Sequence, residues 1–271
     1  MDRLIDHQGL PVLPALDAPG VASFCTTRQG GVGTGPHASF NLGAKAGDDP
    51  AVVAENRRRL RAVLPGEPFW LTQVHGARVL DADTWQHGTW DAADVASQLV
   101  PVPAREADAA VTRTPGRVLA VMAADCLPVI MADQDGQVLG AAHAGWRGLA
   151  AGVLESTLAV MQARYPDAKG WQAWIGPGIG PAAFEVGDDV RDAFAGLGET
   201  ALAAFAPRPE HPGKWLANLP ALAELRLRRA GVERVLRADL CTVSHPELFF
   251  SYRRDGVTGR MAACAWLTGQ T

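Results

Sequence analysis

The chain has 271 residues, and its hydrophobic content of 48% allows a substantial core in one large domain or two small ones. A formal net charge of −4 at pH 7 leaves no basic surface that would bind nucleic acid or an anionic membrane. No apolar run approaches the roughly 18 residues of a membrane-spanning helix, and the charged N-terminal segment lacks the apolar centre of a signal peptide, so we expect a cytoplasmic protein.

The first half of the chain predicts a loop, a helix and a series of short strands. Residues 21–47, with four glycines between positions 30 and 35, predict an ordered loop that lacks the P-loop pattern. A helix should begin after Asp48 or Asp49, with Pro50 in its first turn. In chain order, further predictions are a helix end at Pro65-Gly66, strands at 69–76, 108–112, 117–123, 127–132 and 137–142, and a polar surface excursion at 81–107.

The second half mixes helices and strands without strict β-α-β alternation. Asp135-Gly136 predicts a hairpin turn between the last two of those strands. Helical spacing from Gly148 predicts one helix that ends before Tyr165-Pro166. The remaining predictions are strands at 171–176, 233–238 and 260–267, and helices at 187–197, 199–206 and 219–230. This mixture indicates a single α+β domain over residues 1–271.

Three predicted strand ends carry a residue that can bind a metal: His75 in "QVHG", Cys126 in "ADCLP" and His143 in "HAGWRG". Strand ends that open into turns present side chains without burying unpaired backbone. Two imidazoles and one thiolate suit a zinc site whose fourth position stays open for water or substrate. The chain has no Cys-x-x-Cys pair, so the ligands must come from distant segments. From spacing alone, a buried structural thiol and hydrogen-bonded histidines remain alternatives.

The same residues also fit a cysteine hydrolase. Cys126 would be the nucleophile, His143 or His75 the base, and Asp125 the group that orients the base. Neighbours in an extended segment point to opposite sides, which disfavours a direct Asp125–Cys126 pair. We therefore expect Asp125 to hold a backbone group or a metal-binding histidine.

Eight motifs, spread over nearly the whole chain, resemble the bacterial YfiH family, which has long been labelled multicopper polyphenol oxidase or laccase-like. They are "SFNLG" (39–43), "GDDPAVVAENRRRL" (47–60), "QVHG" (73–76), "ADCLPV" (124–129), "HAGWRG" (143–148), "IGPGIGP" (175–181), "FEVG" (184–187) and "FFSYRRDGVTGRMAA" (249–263). The resemblance implies an αββα layered sandwich similar to cytotoxic-necrotizing-factor-like cysteine hydrolases. It also implies a zinc site on His75, Cys126 and His143.

The resemblance further implies an enzyme of purine nucleosides. Family members are described as phosphorylases of adenosine, inosine, guanosine and methylthioadenosine that also deaminate adenosine, and a role in editing peptidoglycan precursors is attributed to the family. Copper is the cofactor under the older label, but multicopper oxidases need many histidines, commonly in His-x-His pairs. This chain has seven histidines and no such pair, which argues against a multicopper cluster. The rivals to a zinc phosphorylase are a Cys-dependent amidase and a copper oxidase.

Phosphate, the co-substrate of a phosphorylase, needs cationic or backbone N–H partners. Candidates are Arg57, Arg147 and the amides of the loop 30–35, while Asn41 is expected to bind a ribose or base. A solvated helix face is the alternative for Arg57, and an ion pair that supports the adjacent turn is the alternative for Arg147. Structural or dimer contacts are expected for Arg253, Arg254 and Arg260, and the protein should be a monomer or a homodimer.

Overall fold

The computed structural model describes residues 4–84 and 105–269, so most of the predicted excursion at 81–107 lies outside the described residues. The single domain over 1–271 stays a prediction. The described elements are β1 (Ile5–His7), β2 (Leu10–Pro14), β3 (Val21–Thr26), α1 (Pro50–Ala62), β4 (Val79–Asp81), β5 (Ala109–Thr112), β6 (Leu119–Ala123), β7 (Leu127–Asp133), β8 (Leu139–Ala144), α2 (Trp146–Ala150), α3 (Val153–Arg164), β9 (Trp171–Ile175), β10 (Glu185–Gly187), α4 (Asp188–Asp192), α5 (Glu199–Leu202), β11 (Phe205–Pro207), β12 (Lys214–Ala217), α6 (Leu219–Arg229), β13 (Arg234–Arg237), α7 (Tyr252–Asp255) and β14 (Met261–Leu267).

The strands form two large sheets and one small one. The five-stranded sheet has the order β1-β2-β3-β14-β6 and is antiparallel throughout. The six-stranded sheet has the order β13-β9-β7-β8-β5-β4; its outermost pairs, β13 with β9 and β5 with β4, are parallel. A three-stranded sheet, β10-β12-β11, lies beside them. A mixed α+β fold is therefore confirmed.

Alternating side chains explain why the two large sheets pack face to face. Along β14, Ala263 and Leu267 belong to the core cluster shared with Ile130 of the other sheet. Cys264 points to the opposite face, where it shares a cluster with Leu60 of α1. This period of two residues places one face of the strand in each core layer.

Helices cover the outer faces of both sheets. Leu154 and Leu158 of α3 and Leu227 of α6 pack with Val129 and Met131, which alternate with Ile130 along β7. The predicted layer order of helix, sheet, sheet and helix is thus confirmed. Among the described residues, no helix has the length and apolar character needed to cross a membrane.

The helix predicted after Asp49 is confirmed, but the one predicted from Gly148 is wrong in one respect. The Asp49 side chain accepts the Ala51 N–H at 2.8 Å, and Pro50 occupies the first turn, as a capped helix start requires. Gly152 adopts a left-handed conformation, with φ of 90°, and divides the segment into α2 and α3. Periodicity of the apolar side chains did not reveal this break.

Two predictions for the first half of the chain are wrong. The segment 21–47 is not a loop throughout, because its first six residues form β3. The segment 69–76 is not a strand, because it makes only isolated bridges, from Phe69 to Leu119 and from Thr72 to Glu106. His75 therefore lies in a turn that no strand precedes, whereas the hairpin at Asp135-Gly136 is confirmed by the antiparallel pairing of β7 with β8.

Candidate metal centre

Cys126 and His143 are brought together by the corner at which the chain passes from one large sheet to the other. β6 belongs to the five-stranded sheet and β7 to the six-stranded sheet, and residues 124–126 connect them. In the antiparallel ladder of β7 with β8, Pro128 pairs with His143. Cys126, directly before β7, thus lies close to His143, near the end of β8.

The ligand atoms of His75, Cys126 and His143 all lie within 4.8 Å of one another, and we call these three residues the His/Cys/His cluster. The two imidazole rings meet edge to face with centroids 4.8 Å apart. His143 is buried, Cys126 is half-buried and His75 is exposed, as is Val74 before it. The cluster is therefore open to solvent on the His75 side, where a fourth ligand or a substrate can enter.

Asp108, which sequence reasoning missed, connects the two histidines of the cluster. Its fully buried carboxylate accepts the N–H groups of Val74, His75 and Gly76 at 3.2, 2.9 and 2.7 Å. It also lies 2.8 Å from Nδ1 of His143. A proton on Nδ1 donated to this carboxylate leaves the Nε2 lone pair free to bind a metal.

Asp125 does not hold a histidine, so that part of its predicted role is wrong. Its carboxylate accepts the Thr242 hydroxyl at 2.6 Å and the Arg253 N–H at 2.7 Å. Its carbonyl accepts the Ile179 N–H at 2.8 Å. These contacts hold Asp125 at φ of 94°, an uncommon conformation for a residue other than glycine, and so fix the turn that presents Cys126.

The cluster and Asp108 shift one another's pKa values. Burial raises the pKa of the Cys126 thiol, but the charge of His143 and hydrogen bonds from both histidines outweigh it and lower the pKa from 9.0 to about 6. Burial lowers the pKa of His143, but the Cys126 charge and the bond to Asp108 outweigh it and raise the pKa to about 9. Burial likewise raises the pKa of Asp108, and hydrogen bonds from His143 and the backbone lower it below its usual range. These opposite shifts favour a thiolate–imidazolium pair of Cys126 and His143 in metal-free protein.

This pair predicts unusual thiol reactivity in metal-free protein. With a pKa of about 6, about 90% of Cys126 is thiolate at pH 7, whereas a thiol of pKa 9.0 is about 1% ionised. Alkylation by iodoacetamide should therefore be fast at pH 7 and slow as pH falls below about 6. The measurement uses a Cys241→Ser background, since Cys241 is half-buried and its pKa is also lowered. A midpoint near pH 9 would contradict the pairing, and Cys25, whose pKa burial raises to about 12, provides the unreactive comparison.

Gly145 leaves room for the ligands. A Cβ at this position would lie 2.8 Å from the Cys126 Sγ and 3.0 Å from Cδ2 of His75. We expect Gly145→Ala to push these side chains apart and to weaken zinc affinity about 10- to 100-fold, as changes to the immediate support of metal ligands do. Competition with a chelator measures the affinity, and Gly196→Ala is the control because its Cβ would meet nothing within 4 Å. Equal affinities of the two variants would contradict the prediction.

The predicted substrate residues are placed differently. Asn41 is buried; its oxygen accepts the N–H groups of Gly43 and Arg260, and its amide donates to Asp48. Arg57 is half-buried, stacks at 4.3 Å over the Trp70 ring and donates to the Leu42 carbonyl, so a freely solvated helix face does not describe it. The protein itself thus occupies the hydrogen-bonding groups of Asn41, while their role in binding substrate stays a prediction.

For Arg147 the part of the chain that the structure describes lacks the ion pair that was its alternative role, so phosphate binding stays a prediction, while part of the glycine loop is engaged by the protein. Arg147 is exposed over the Trp146 ring and forms no ion pair within the described residues. The loop amides of 31–33 donate to Ser39 and Asn56, so these three are engaged by the protein and do not offer a phosphate cradle. The expected structural contacts of Arg253 and Arg254 are present as bonds to backbone carbonyls.

A sandwich of helix, sheet, sheet and helix with a His/Cys/His cluster at the crossing between its sheets defines an α+β protein with a candidate metal site. The family described as multi-copper polyphenol oxidoreductase laccase matches residues 22–268. Purine nucleoside phosphorylase YfiH of Escherichia coli (strain K12) is 46% identical over 94% of this chain and 98% of its own length. Purine nucleoside phosphorylase PA4543 of Pseudomonas aeruginosa is 44% identical over 94% and 97%.

Solved structures agree with this relationship. Neisseria meningitidis protein NMB0706 superposes with a TM-score of 0.81 at 44% identity, over 95% of this chain and 99% of that one. Bacillus licheniformis hypothetical protein YfiH gives a TM-score of 0.82 at 29% identity, over 98% and 100%. The chain therefore belongs to the YfiH, or laccase-like, family, and the resemblance predicted from its motifs is confirmed.

Proposed function

We propose that this protein is a zinc-dependent purine nucleoside phosphorylase that also deaminates adenosine. The observation that carries the proposal is the His/Cys/His cluster, with its ligand atoms within 4.8 Å, in a chain whose close relatives are named purine nucleoside phosphorylases. Two imidazoles and a thiolate match the three-ligand sets of catalytic zinc. A zinc ion held there would supply Lewis acidity at the open side of the cluster.

The residues of the chain prepare this site for its substrates. Asp108 keeps the proton of His143 on Nδ1 and fixes the turn that carries His75. Phosphorolysis joins a phosphate oxygen to C1′ of the ribose and breaks the bond from C1′ to N9, and the released purine takes up a proton. Deamination replaces the 6-amino group of adenosine with an oxygen from water and releases ammonia. Both reactions need access from solvent, which the exposed His75 side provides.

The test uses the purified full chain without a histidine tag. With zinc bound, adenosine and phosphate should yield adenine and ribose-1-phosphate, and adenosine alone should yield inosine and ammonia. Elemental analysis should find one zinc per chain, lost in His75→Ala and His143→Ala but retained in the control His211→Ala, a substitution at an exposed histidine. If zinc-loaded protein formed neither ribose-1-phosphate nor inosine, the proposal would be overturned.

The donor set does not support the copper chemistry of the family label. Among residues 4–84 and 105–269, His75, Cys126 and His143 are the one group of metal-binding side chains found close together. A multicopper oxidase needs several such groups, so we propose that the label describes ancestry and not activity. Stoichiometric copper with a visible absorption band would contradict this view.

One observation favours a second candidate, the Cys-dependent amidase. Asp108, His143 and Cys126 stand in the order of orienting acid, base and nucleophile, with Asp108 in the place that sequence reasoning gave to Asp125. This alternative predicts amidase activity that survives removal of metal by a chelator. It also predicts an acyl group on Cys126 that mass spectrometry can detect. Loss of all activity on chelation, restored by zinc, would exclude it.

A further inference from the structure

Two arginine side chains lie on either side of the short segment Leu42-Gly43. Arg57 of α1 donates from Nε to the Leu42 carbonyl at 2.9 Å. The carbonyl of Arg260, just before β14, accepts the Leu42 N–H at 3.1 Å. The stem of Arg260 lies against Gly43, where a Cβ would be 2.7 Å from its Cγ. The same short segment of backbone therefore contacts both arginine residues.

Arg57 lies beside the two segments that lead to the His/Cys/His cluster. Its Nη2 is 4.0 Å from Sδ of Met122, which precedes Cys126 by four residues. The Gln73 side chain bonds both the N–H and the carbonyl of Met122, at 2.8 and 2.7 Å. Gln73 in turn precedes His75 by two residues, so Arg57 borders the place where both ligand segments meet.

Arg260 approaches the cluster from the five-stranded sheet. The first pair in the ladder of β14 with β6 is Met261 with Ala123, which places Arg260 next to the turn that leads to Cys126. The charge of its guanidinium interacts with Cys126 and Asp125. Arg260 thus approaches the cluster from the sheet, while Arg57 approaches the segment before Cys126 from the helix.

Within the described residues, neither arginine contacts a carboxylate directly, although the charges of Asp125 and Glu67 reach Arg260 and Arg57. Among these residues Arg57 bonds the Leu42 carbonyl, and Arg260 bonds the carbonyls of Thr258 and Gly259 through Nη1 alone. The charge of Glu67 reaches Arg57, but Glu67 lies 3.7 Å from Arg61. Burial lowers the pKa of Arg57 to about 10, which shows that its charge is held there at a cost.

Given the phosphorylase activity proposed above, we propose that Arg57 and Arg260 bind orthophosphate, the co-substrate, beside the His/Cys/His cluster. Guanidinium groups bind phosphate oxygens in pairs of parallel N–H bonds. Arg260 has Nε and Nη2 free of partners among the described residues, and two cations match the charge of HPO4²⁻. The Trp70 ring and the Leu42 carbonyl hold Arg57 in place before phosphate arrives.

Direct titration of the zinc-loaded full chain with inorganic phosphate tests this site. Calorimetry should show about 10- to 100-fold weaker phosphate binding in Arg260→Gln and Arg57→Gln, the range expected when a charge-assisted contact is lost. The control is Arg58→Gln, which removes the same charge from an exposed neighbour on α1 that bonds Glu55. Unchanged zinc content in each variant reports that the site has folded. Equal phosphate affinity in all four proteins would overturn the proposal.

Kinetics separate this proposal from the activity on which it rests. In Arg260→Gln the KM for phosphate should rise about 10-fold or more while the KM for the nucleoside stays within about twofold. If wild-type protein forms no ribose-1-phosphate, the proposed function fails, whereas the titration still decides whether the two arginines bind an oxyanion. The phosphate group of a nucleotide offers the same chemistry, so adenosine 5′-monophosphate is titrated in parallel. Tighter binding of the nucleotide than of orthophosphate would contradict the assignment to the co-substrate.

Discussion

Cys126→Ala should remove zinc binding and nucleoside phosphorolysis together. The thiolate is one of three ligand groups lying within 4.8 Å, and two imidazoles alone provide one ligand fewer than a catalytic zinc site uses. Because changes to residues that merely support a ligand weaken metal affinity 10- to 100-fold, we expect loss of the ligand itself to exceed about 100-fold. Chelator competition measures the affinity, and release of ribose-1-phosphate measures the activity.

A second cysteine variant provides the comparison for this experiment. Cys25→Ala removes a buried thiol in β3 that does not belong to the His/Cys/His cluster, and should leave zinc content unchanged. If Cys126→Ala retained zinc at wild-type affinity but lost activity, Cys126 would act as a nucleophile and the amidase mechanism would gain support. If both variants lost zinc equally, the loss would reflect damage to the core.

Alternation and helical periodicity are local, so they predicted the mixed α+β class, whereas the order of the layers was predicted from the family resemblance. In β14, small and apolar side chains such as Ala263 and Cys264 fill both faces, which is typical of a strand covered on two sides. The break at Gly152 depends on one glycine in the left-handed conformation. In a sequence, an isolated glycine within a helical pattern is compatible with a continuous helix and with a break. The residue types at 69–76 are typical of a strand. In the structure this segment makes isolated bridges at Phe69 and Thr72, and the His75 N–H donates to the Asp108 side chain.

The candidate ligands could be predicted from residue type, but their support could not. His75 and His143 lie 33 and 35 residues from Asp108, so no local spacing rule connects them. The one signal in the sequence was an acidic residue directly before the buried strand β5, and this is compatible with an ordinary strand end. The fold identifies Asp108 because the pairing of strands carries it beneath both histidines.

If Arg57 and Arg260 bind phosphate as proposed, one site would combine a metal with two cationic side chains for a physical reason. A metal centre and guanidinium groups both attract anions, so an orthophosphate ion between them is stabilised from two sides. The same arrangement would repel a positively charged ligand. It is therefore consistent with a site built for an anionic co-substrate and a neutral nucleoside.

Asp108→Asn should weaken zinc affinity about 10- to 100-fold and also reduce stability. The carboxylate accepts four N–H groups, and an asparagine side chain offers one accepting oxygen, so buried donors lose their partners at about 1–3 kcal/mol each. If the new amide N–H points at Nδ1 of His143, the ring must carry its proton on Nε2, where it cannot bind metal. Nitrogen-15 NMR of metal-free protein reports this change of tautomer at a pH above the His143 pKa of about 9, where the ring is neutral.

Asp133→Asn separates the two effects of the Asp108 substitution. Asp133 is equally buried, and its carboxylate accepts the N–H groups of Asp135, Gln137 and Val138, none of which is a histidine. Urea unfolding should therefore show a comparable loss of stability in both variants, while only Asp108→Asn loses zinc affinity and shifts the His143 tautomer. Equal zinc affinity in the two variants would mean that Asp108 contributes to stability and not to metal binding. Loss of zinc affinity confined to Asp108→Asn, together with the shift of the His143 tautomer, would mean that this carboxylate selects the metal-binding form of His143.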